Sequence, residues 1–217
     1  MSKAGLLGRL RSATRPLHDD LENRVDIHTR LRSFALYTDH LTRLWRLHTA
    51  AEQALSTVDF SHLGFSYPCP YRSSLLEDDL ALLGIDRDDL RQQALPEYQR
   101  LETVTEGLGC MYVVEGSAKG ARTILPAIKD SLDLDANHGA SFFYGFGKET
   151  GRLWRACAAG IEAIDAQSAD GDTVVTAANE TFSMFHQGLV ADTMAPLGTI
   201  KDEPRAKAWR FRHGHTT

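Results

Sequence analysis

The chain has 217 residues, enough for one substantial domain, and its apolar fraction of 42% is ordinary for a globular protein. A net charge of −5 argues against a dedicated nucleic-acid-binding protein. No apolar stretch has the length of a transmembrane helix or the form of a secretory signal, so we expect a cytoplasmic protein with no membrane partner. Cys69, Cys110 and Cys157 lack the spacing of a thiolate zinc site and are expected to be free thiols.

The N-terminal quarter of the chain contains two predicted helices. Apolar side chains recur at steps of three and four from Leu6 to Val25, the spacing of an amphipathic helix. Pro16 interrupts this stripe, so we expect either a kink there or a helix that begins near Thr14 as its N-cap. Ser33 is the expected N-cap of a second helix, which continues to about residue 55.

The next part of the chain alternates between a loop and short helices. Residues 60–71 contain two prolines, a glycine and several aromatic residues, which predict a loop. Residues 73–83 predict a short helix closed by Gly84. Asp86 is the expected N-cap of a further helix that ends near Leu95, just before a proline.

A helical pattern over residues 101–132 contains four glycines, each of which costs roughly 0.5 to 1 kcal/mol relative to alanine. They are Gly107, Gly109, Gly116 and Gly120. So many glycines in one helix require a structural or a functional reason.

The C-terminal part predicts two more helices, over residues 142–164 and 173–190, separated by a polar turn at 167–172. No segment shows the alternation of period two that is typical of a strand. The predicted fold is therefore all-α, with about seven helices in a single domain over residues 1–195. Residues 196–217 are expected to form a flexible tail.

A histidine and a carboxylate lie one helical turn apart in the first predicted helix. His18 and Glu22 share a face, so the carboxylate can accept a hydrogen bond from the imidazole Nδ1. That arrangement would leave Nε2 free to bind a metal and would make it more basic. A surface contact between the two side chains explains the same spacing, and both interpretations stay open at this point.

Gly116 and Gly120 share a face in the same way. Without β-carbons, this face can approach a planar ligand closely, or the helix can bend over one. Close packing against a neighbouring helix is the alternative. Neither the histidine pair nor the glycine pair identifies a function by itself.

The two pairs lie in motifs that follow each other along the chain, Ala13-Thr14-x-x-x-His18-x-x-x-Glu22 and Tyr112-Val113-Val114-Glu115-Gly116-Ser117-x-x-Gly120. Together they resemble the heme oxygenase family, and in particular its bacterial, biliverdin-producing branch that is associated with phytochromes. Segments at 75–84, 142–144, 153–155 and 178–182 extend the resemblance in the expected order. It therefore covers most of the chain.

The resemblance implies a multi-helix fold in which heme lies between an N-terminal proximal helix and a kinked, glycine-containing distal helix. His18 is then the proximal iron ligand and Glu22 its hydrogen-bonding partner. The distal residues with a catalytic role are Gly116, Ser117 and Gly120, which lie over the heme.

The same resemblance implies basic partners for the two heme propionates, because arginine can offer bidentate hydrogen bonds to a carboxylate. The matching positions are Arg11 and Arg155, with Arg15 as a third. Tyr112 is expected to contribute a polar group near the cofactor. Arg122 and His186 are weaker candidates of the same kind, and a structural or exposed role is the alternative interpretation for all three.

The activity implied is oxidative cleavage of heme, which serves as both substrate and cofactor, to biliverdin, carbon monoxide and ferrous iron. The electrons would come from an external donor such as a ferredoxin or a flavin reductase. A bacteriophytochrome is a candidate acceptor of the biliverdin. A neutral histidine ligand suits this chemistry, because a thiolate would favour O–O cleavage instead.

One departure from the family pattern affects the distal side. Many heme oxygenases have an aspartate directly after the first distal glycine, where this chain has Ser117, whose hydroxyl positions water with less electrostatic force. A non-catalytic heme- or bilin-binding protein with the same fold is therefore the main alternative. A ferritin-like di-iron protein is disfavoured, since the sequence has no Glu-x-x-His pair.

Overall fold

A computed structural model describes residues 5–69, 71–147 and 150–190. Over these residues it contains ten α-helices and two short 3-10 turns, at Ser61–Leu63 and Arg122–Ile124. No strand occurs in the described ranges, where the β contacts are isolated bridges of Asp135. The helices, numbered in chain order, are α1 (Leu6–Arg24), α2 (Ile27–Arg30), α3 (Phe34–Ser56), α4 (Arg72–Leu82), α5 (Arg87–Arg91), α6 (Val104–Ala121), α7 (Leu125–Leu132), α8 (Ser141–Tyr144), α9 (Thr150–Glu162) and α10 (Ala169–Val190).

The all-α prediction is confirmed. The expected C-terminal tail, residues 196–217, lies outside the described residues. No helix within the described ranges is long and apolar enough to cross a membrane.

Helix α1 begins well before Thr14, so the alternative start at that residue is wrong. Leu6 and Leu10 are fully buried, and their burial stabilises the two turns that precede Thr14. The Thr14 hydroxyl does not cap the helix but donates to the Leu10 carbonyl at 2.9 Å. Pro16 is accommodated inside the helix on its exposed side.

Three of the predicted helix boundaries are confirmed. The Ser33 side chain accepts from the Leu36 amide and starts α3, and Asp86 accepts from two amides at the start of α5. Gly84 follows α4 with a φ of +96°, a conformation that favours glycine. Helix α5 ends at Arg91, however, and not near Leu95.

The predicted helix over residues 142–164 is divided into α8 and α9. Gly145 and Gly147 have φ values of +72° and +59°, which no continuous α-helix can contain. The buried Asp79 carboxylate fixes the start of α8, since it accepts from the Ser141 and Phe142 amides at 2.9 Å each. Helix α10 begins at Ala169, inside the predicted turn, where the Ser168 hydroxyl accepts from the Gly171 amide.

Helix α6 packs closely against α10, and this contact accounts for one of its glycines. A β-carbon at Gly109 would clash with the Val174 carbonyl oxygen and would lie 2.8 Å from the Ala177 β-carbon. At Gly107 the corresponding space is filled by the ring of Phe60. Two of the four glycines in α6 are therefore explained by packing.

Helices α9 and α10 each pack against both α1 and α6. The two helices that carry the sequence motifs are thus held by the same pair of neighbours. Two bonds fix the start of α1 in this arrangement: the Leu7 amide donates to Glu162 on α9 at 3.1 Å, and Arg9 pairs with Asp172 on α10.

Candidate functional site

His18 lies on the surface of α1 with its ring accessible. Its side chain is 51% exposed, and the ring meets Phe182 of α10 edge to face with the centroids 6.0 Å apart. The Nδ1 atom lies 3.6 Å from Oε2 of Glu22, slightly beyond hydrogen-bonding distance. The spacing predicted from the sequence therefore does bring the two side chains together, and it leaves the imidazole open to an incoming group.

A second carboxylate, which sequence reasoning missed, lies beside this pair. Potential ligand atoms of His18, Asp19 and Glu22 all lie within 4.8 Å of one another, and all three residues are exposed. The adjacency of Asp19 to His18 in the sequence was the available signal.

The two glycines of the second motif have different surroundings. A β-carbon at Gly116 would lie 3.3 Å from Cζ3 of Trp154 on α9, whereas one at Gly120 would meet no atom of the described residues within 4 Å. The hydrogen-bonding pattern stays α-helical across both glycines and changes to 3-10 at Arg122. Packing thus accounts for Gly116 in part, and no contact accounts for Gly120.

The other predicted residues of α6 lie near Gly116. The Tyr112 ring is tilted against that of Trp154, with the centroids 5.9 Å apart. The Ser117 hydroxyl donates to the Val114 carbonyl of the same helix at 3.0 Å. Ser117 is exposed, so a ligand or water can compete for this hydroxyl.

The three arginines proposed as propionate partners are all exposed. Arg11 and Arg15 lie on α1, two turns and one turn before His18. Arg155 lies on α9, and its side chain extends back along its own helix. Its Nη1 is 2.8 Å from the place that a β-carbon would take at Gly151.

Two weaker candidates have partners of their own. The Arg122 Nε donates to the Tyr144 carbonyl at 3.0 Å, and its guanidinium lies 4.9 Å from the Tyr144 ring centroid. His186 lies 2.5 Å from Asp20 through its Nε2. Hydrogen bonds from Arg24 first, and then from His186, lower the pKa of Asp20.

A buried polar cluster lies behind the second motif and was also missed. Glu115 directly precedes Gly116, is buried, and accepts a 2.9 Å hydrogen bond from the Tyr67 hydroxyl. Burial raises the pKa of Glu115, and the positive charge of Arg72 opposes that rise. A glutamate directly after the apolar run Tyr112 to Val114 was the sequence signal for this cluster.

These observations define a class of protein: an all-α fold whose N-terminal helix presents an accessible histidine next to carboxylates. Comparison with known families identifies it more closely, since the sequence pattern of the heme oxygenase family matches residues 4–191. The chain belongs to the heme oxygenase family. The resemblance found in the sequence motifs is thereby confirmed.

Solved structures show the same fold. The heme oxygenase of Neisseria meningitidis, solved with bound NO and CO, superimposes with a TM-score of 0.63 at 22% identity, over 90% of this chain and 98% of that one. A domain of unknown function with a heme oxygenase-like fold from Shewanella denitrificans gives a TM-score of 0.64 at 16% identity, over 99% of this chain and 98% of that one. Comparison with curated proteins found no match.

Proposed function

We propose that this chain is an active heme oxygenase that cleaves heme to biliverdin, carbon monoxide and ferrous iron. The observation that carries the proposal is His18, an accessible imidazole whose Nδ1 lies 3.6 Å from the Glu22 carboxylate. A carboxylate at that distance needs only a small rotamer adjustment to accept the Nδ1 proton, which leaves Nε2 as the ligand atom. Membership of the heme oxygenase family supports the same assignment.

The side chains proposed for the site suit the chemistry of heme. The cofactor has an iron that takes an imidazole ligand and two propionates that take cationic partners, and Arg11, Arg15 and Arg155 are exposed to serve them. The open space beside Gly120 lets the backbone of α6 approach a flat ring. When bound, heme supplies the oxygen-activating chemistry, and electrons come from an external donor such as a ferredoxin or a flavin reductase.

On the distal side, this chain offers a hydroxyl where many relatives have a carboxylate. To order water near the ring edge, Ser117 must turn its hydroxyl away from the Val114 carbonyl, to which it donates at 3.0 Å. Rotation about χ1 is enough for this, since the residue is exposed. Tyr112 and Gly116 share a face of α6 beside this serine's turn, and both lie against the indole of Trp154.

The same serine motivates a second candidate function, a heme- or bilin-binding protein without turnover. A hydroxyl that stays bonded within its own helix would not organise water for proton delivery. Under either function the ligand is His18. We further propose a cytoplasmic location and a bacteriophytochrome as recipient of the biliverdin.

The test is aerobic reduction of the heme complex with ascorbate or a ferredoxin system, with catalase present, followed by chromatography of the bilin. Loss of the Soret band with formation of biliverdin is expected, and one assay also gives the position of ring cleavage. A Soret band that persists under these conditions would favour the binding protein. The variant His18→Ala should lose the iron ligand, while His28→Ala, an exposed histidine on α2, serves as control.

A further inference from the structure

We propose that Asp20 and His186 form a positioning pair that sets the orientation of His18 toward the iron. This inference rests on the proposed function, in which His18 is the iron ligand. Neither residue touches the cofactor in this proposal; the pair acts through the helix that carries the ligand.

The pair joins α1 and α10 at the level of the ligand. The Nε2 atom of His186 lies 2.5 Å from Oδ2 of Asp20, two residues after His18. The Arg24 Nε donates to the other Asp20 oxygen at 3.0 Å, so both carboxylate oxygens have partners. The His186 side chain is only 20% exposed, which limits its alternative rotamers and its exchange with water.

A second contact from α10 lies one turn away. Phe182 precedes His186 by four residues, shares its face of α10, and meets the His18 ring edge to face at 6.0 Å. The face of α10 that contacts Asp20 therefore also contacts His18, the proposed iron ligand. Two contacts at different points along α1 fix both its rotation and its translation against α10.

Rotation of α1 decides where His18 points. A side chain at the surface of a helix moves with the helix axis, and a metal ligand tolerates only small errors in direction. Glu22 lies on the same helix as His18, so it cannot oppose a rotation of the whole helix. The bond between Asp20 and His186 joins α1 to α10, across 166 positions of the chain, and can therefore oppose such a rotation.

The chain contains a matched control for a merely structural role. Arg9 and Asp172 also join α1 to α10, but near the start of α1, more than two turns from His18. Loss of the pair between Arg9 and Asp172 should lower the stability of the protein without changing the orientation of His18. The comparison therefore separates positioning of His18 from general attachment of α1.

The experiment compares His186→Phe, His186→Gln and Asp172→Asn as heme complexes, with the ferrous Fe–His stretching band from resonance Raman spectroscopy and the heme dissociation rate as readouts. We expect His186→Phe to shift and broaden the band and to speed heme loss about tenfold, the lower end of the effects of such supporting partners. His186→Gln keeps a donor toward Asp20 and should recover most of both properties. Asp172→Asn should leave the band unchanged.

An unchanged band and dissociation rate in His186→Phe would overturn the positioning role, as would equal shifts in His186→Phe and Asp172→Asn. The wild-type spectrum separates this result from failure of the proposed ligand. If the parent protein shows no Fe–His band, or if His18→Ala retains it, the ligand assignment is wrong and the positioning role falls with it. Thermal unfolding of the heme-free variants identifies any that fail to fold.

Discussion

The indole of Trp154 fills the space that Gly116 leaves beside α6, with Cζ3 at 3.3 Å from the place of the missing β-carbon. Gly120, one turn later, has no such neighbour. The two glycines of the motif therefore differ in what they do for the heme-free protein. Among the described residues, only Gly116 of the two has a packing partner there.

The first prediction concerns alanine at these two glycines. Gly120→Ala should raise the free energy of unfolding of the heme-free protein by roughly 0.5 to 1 kcal/mol, because alanine favours the helix and the space is open. Gly116→Ala should gain less or lose stability, since Trp154 must move. Urea unfolding of both variants measures the difference.

Heme titration of the same variants tests the functional role of Gly120. If the backbone there approaches the ring, Gly120→Ala binds heme more weakly even though its heme-free form is more stable. Unchanged heme affinity together with increased stability would assign the glycine no role in ligand binding.

The second prediction concerns the contact between α6 and α10. Gly109→Ala should lower the free energy of unfolding by about 1 to 3 kcal/mol, because the new methyl group meets the Val174 carbonyl and the Ala177 β-carbon. A backbone atom cannot move aside as a side chain can. Calorimetry measures the loss of stability. Gly120→Ala, in the same helix, is the comparison, because its stability is expected to rise. Equal stability of the two variants would contradict the close packing.

The third prediction concerns the buried partner of Glu115. Tyr67→Phe should cost about 1 to 3 kcal/mol of stability, because it leaves a buried carboxylate oxygen without its donor. The same change should raise the pKa of Glu115 further, since the Tyr67 hydrogen bond lowers it. Infrared detection of a protonated carboxyl measures this change. Tyr144→Phe, at an exposed tyrosine, should alter neither property.

The fourth prediction concerns the pH dependence of stability. Burial, followed by the charges of Arg30 and Arg43, lowers the pKa of His40 to about 3. A histidine with a depressed pKa contributes stability that is present above pH 6.5 and lost as the pH falls toward the folded value. Between pH 6.5 and 5 this loss is about 2 kcal/mol. Urea unfolding at several pH values should show it in the heme-free protein.

An opposing contribution comes from a buried carboxyl. Burial raises the pKa of Asp79 to about 6, so its contribution is present below pH 3.8 and is lost as the pH rises through 6. From pH 6 to 5 this regains about 1 kcal/mol, less than the loss at His40. His40→Leu should therefore lessen the decline, whereas His62→Gln, at an exposed histidine, should leave it unaltered. The part that remains comes from His48, since burial also holds its pKa well below the usual value. An unaltered pH profile in His40→Leu would exclude His40 as the source.

Local chemistry explains which elements were predictable. The Ser33 and Asp86 caps and the glycine at residue 84 depend on neighbouring backbone groups, and all three boundaries are confirmed. The break between α8 and α9 was missed. It lies at Gly145 and Gly147, whose positive φ values end the helix, while Asp79, 62 residues before Ser141, anchors only the start of α8.

The sequence by itself determined the helical class, the family, and the placement of His18 and Glu22 on one face of α1, because these follow from periodicity and motif spacing. The tertiary structure alone decided which glycines pack and which stay open, and which partners His186 and Glu115 acquire. Those outcomes depend on contacts between α1, α6, α9, α10 and the loop that carries Tyr67. The residues in contact lie up to 166 positions apart in the chain, and no local pattern encodes such contacts.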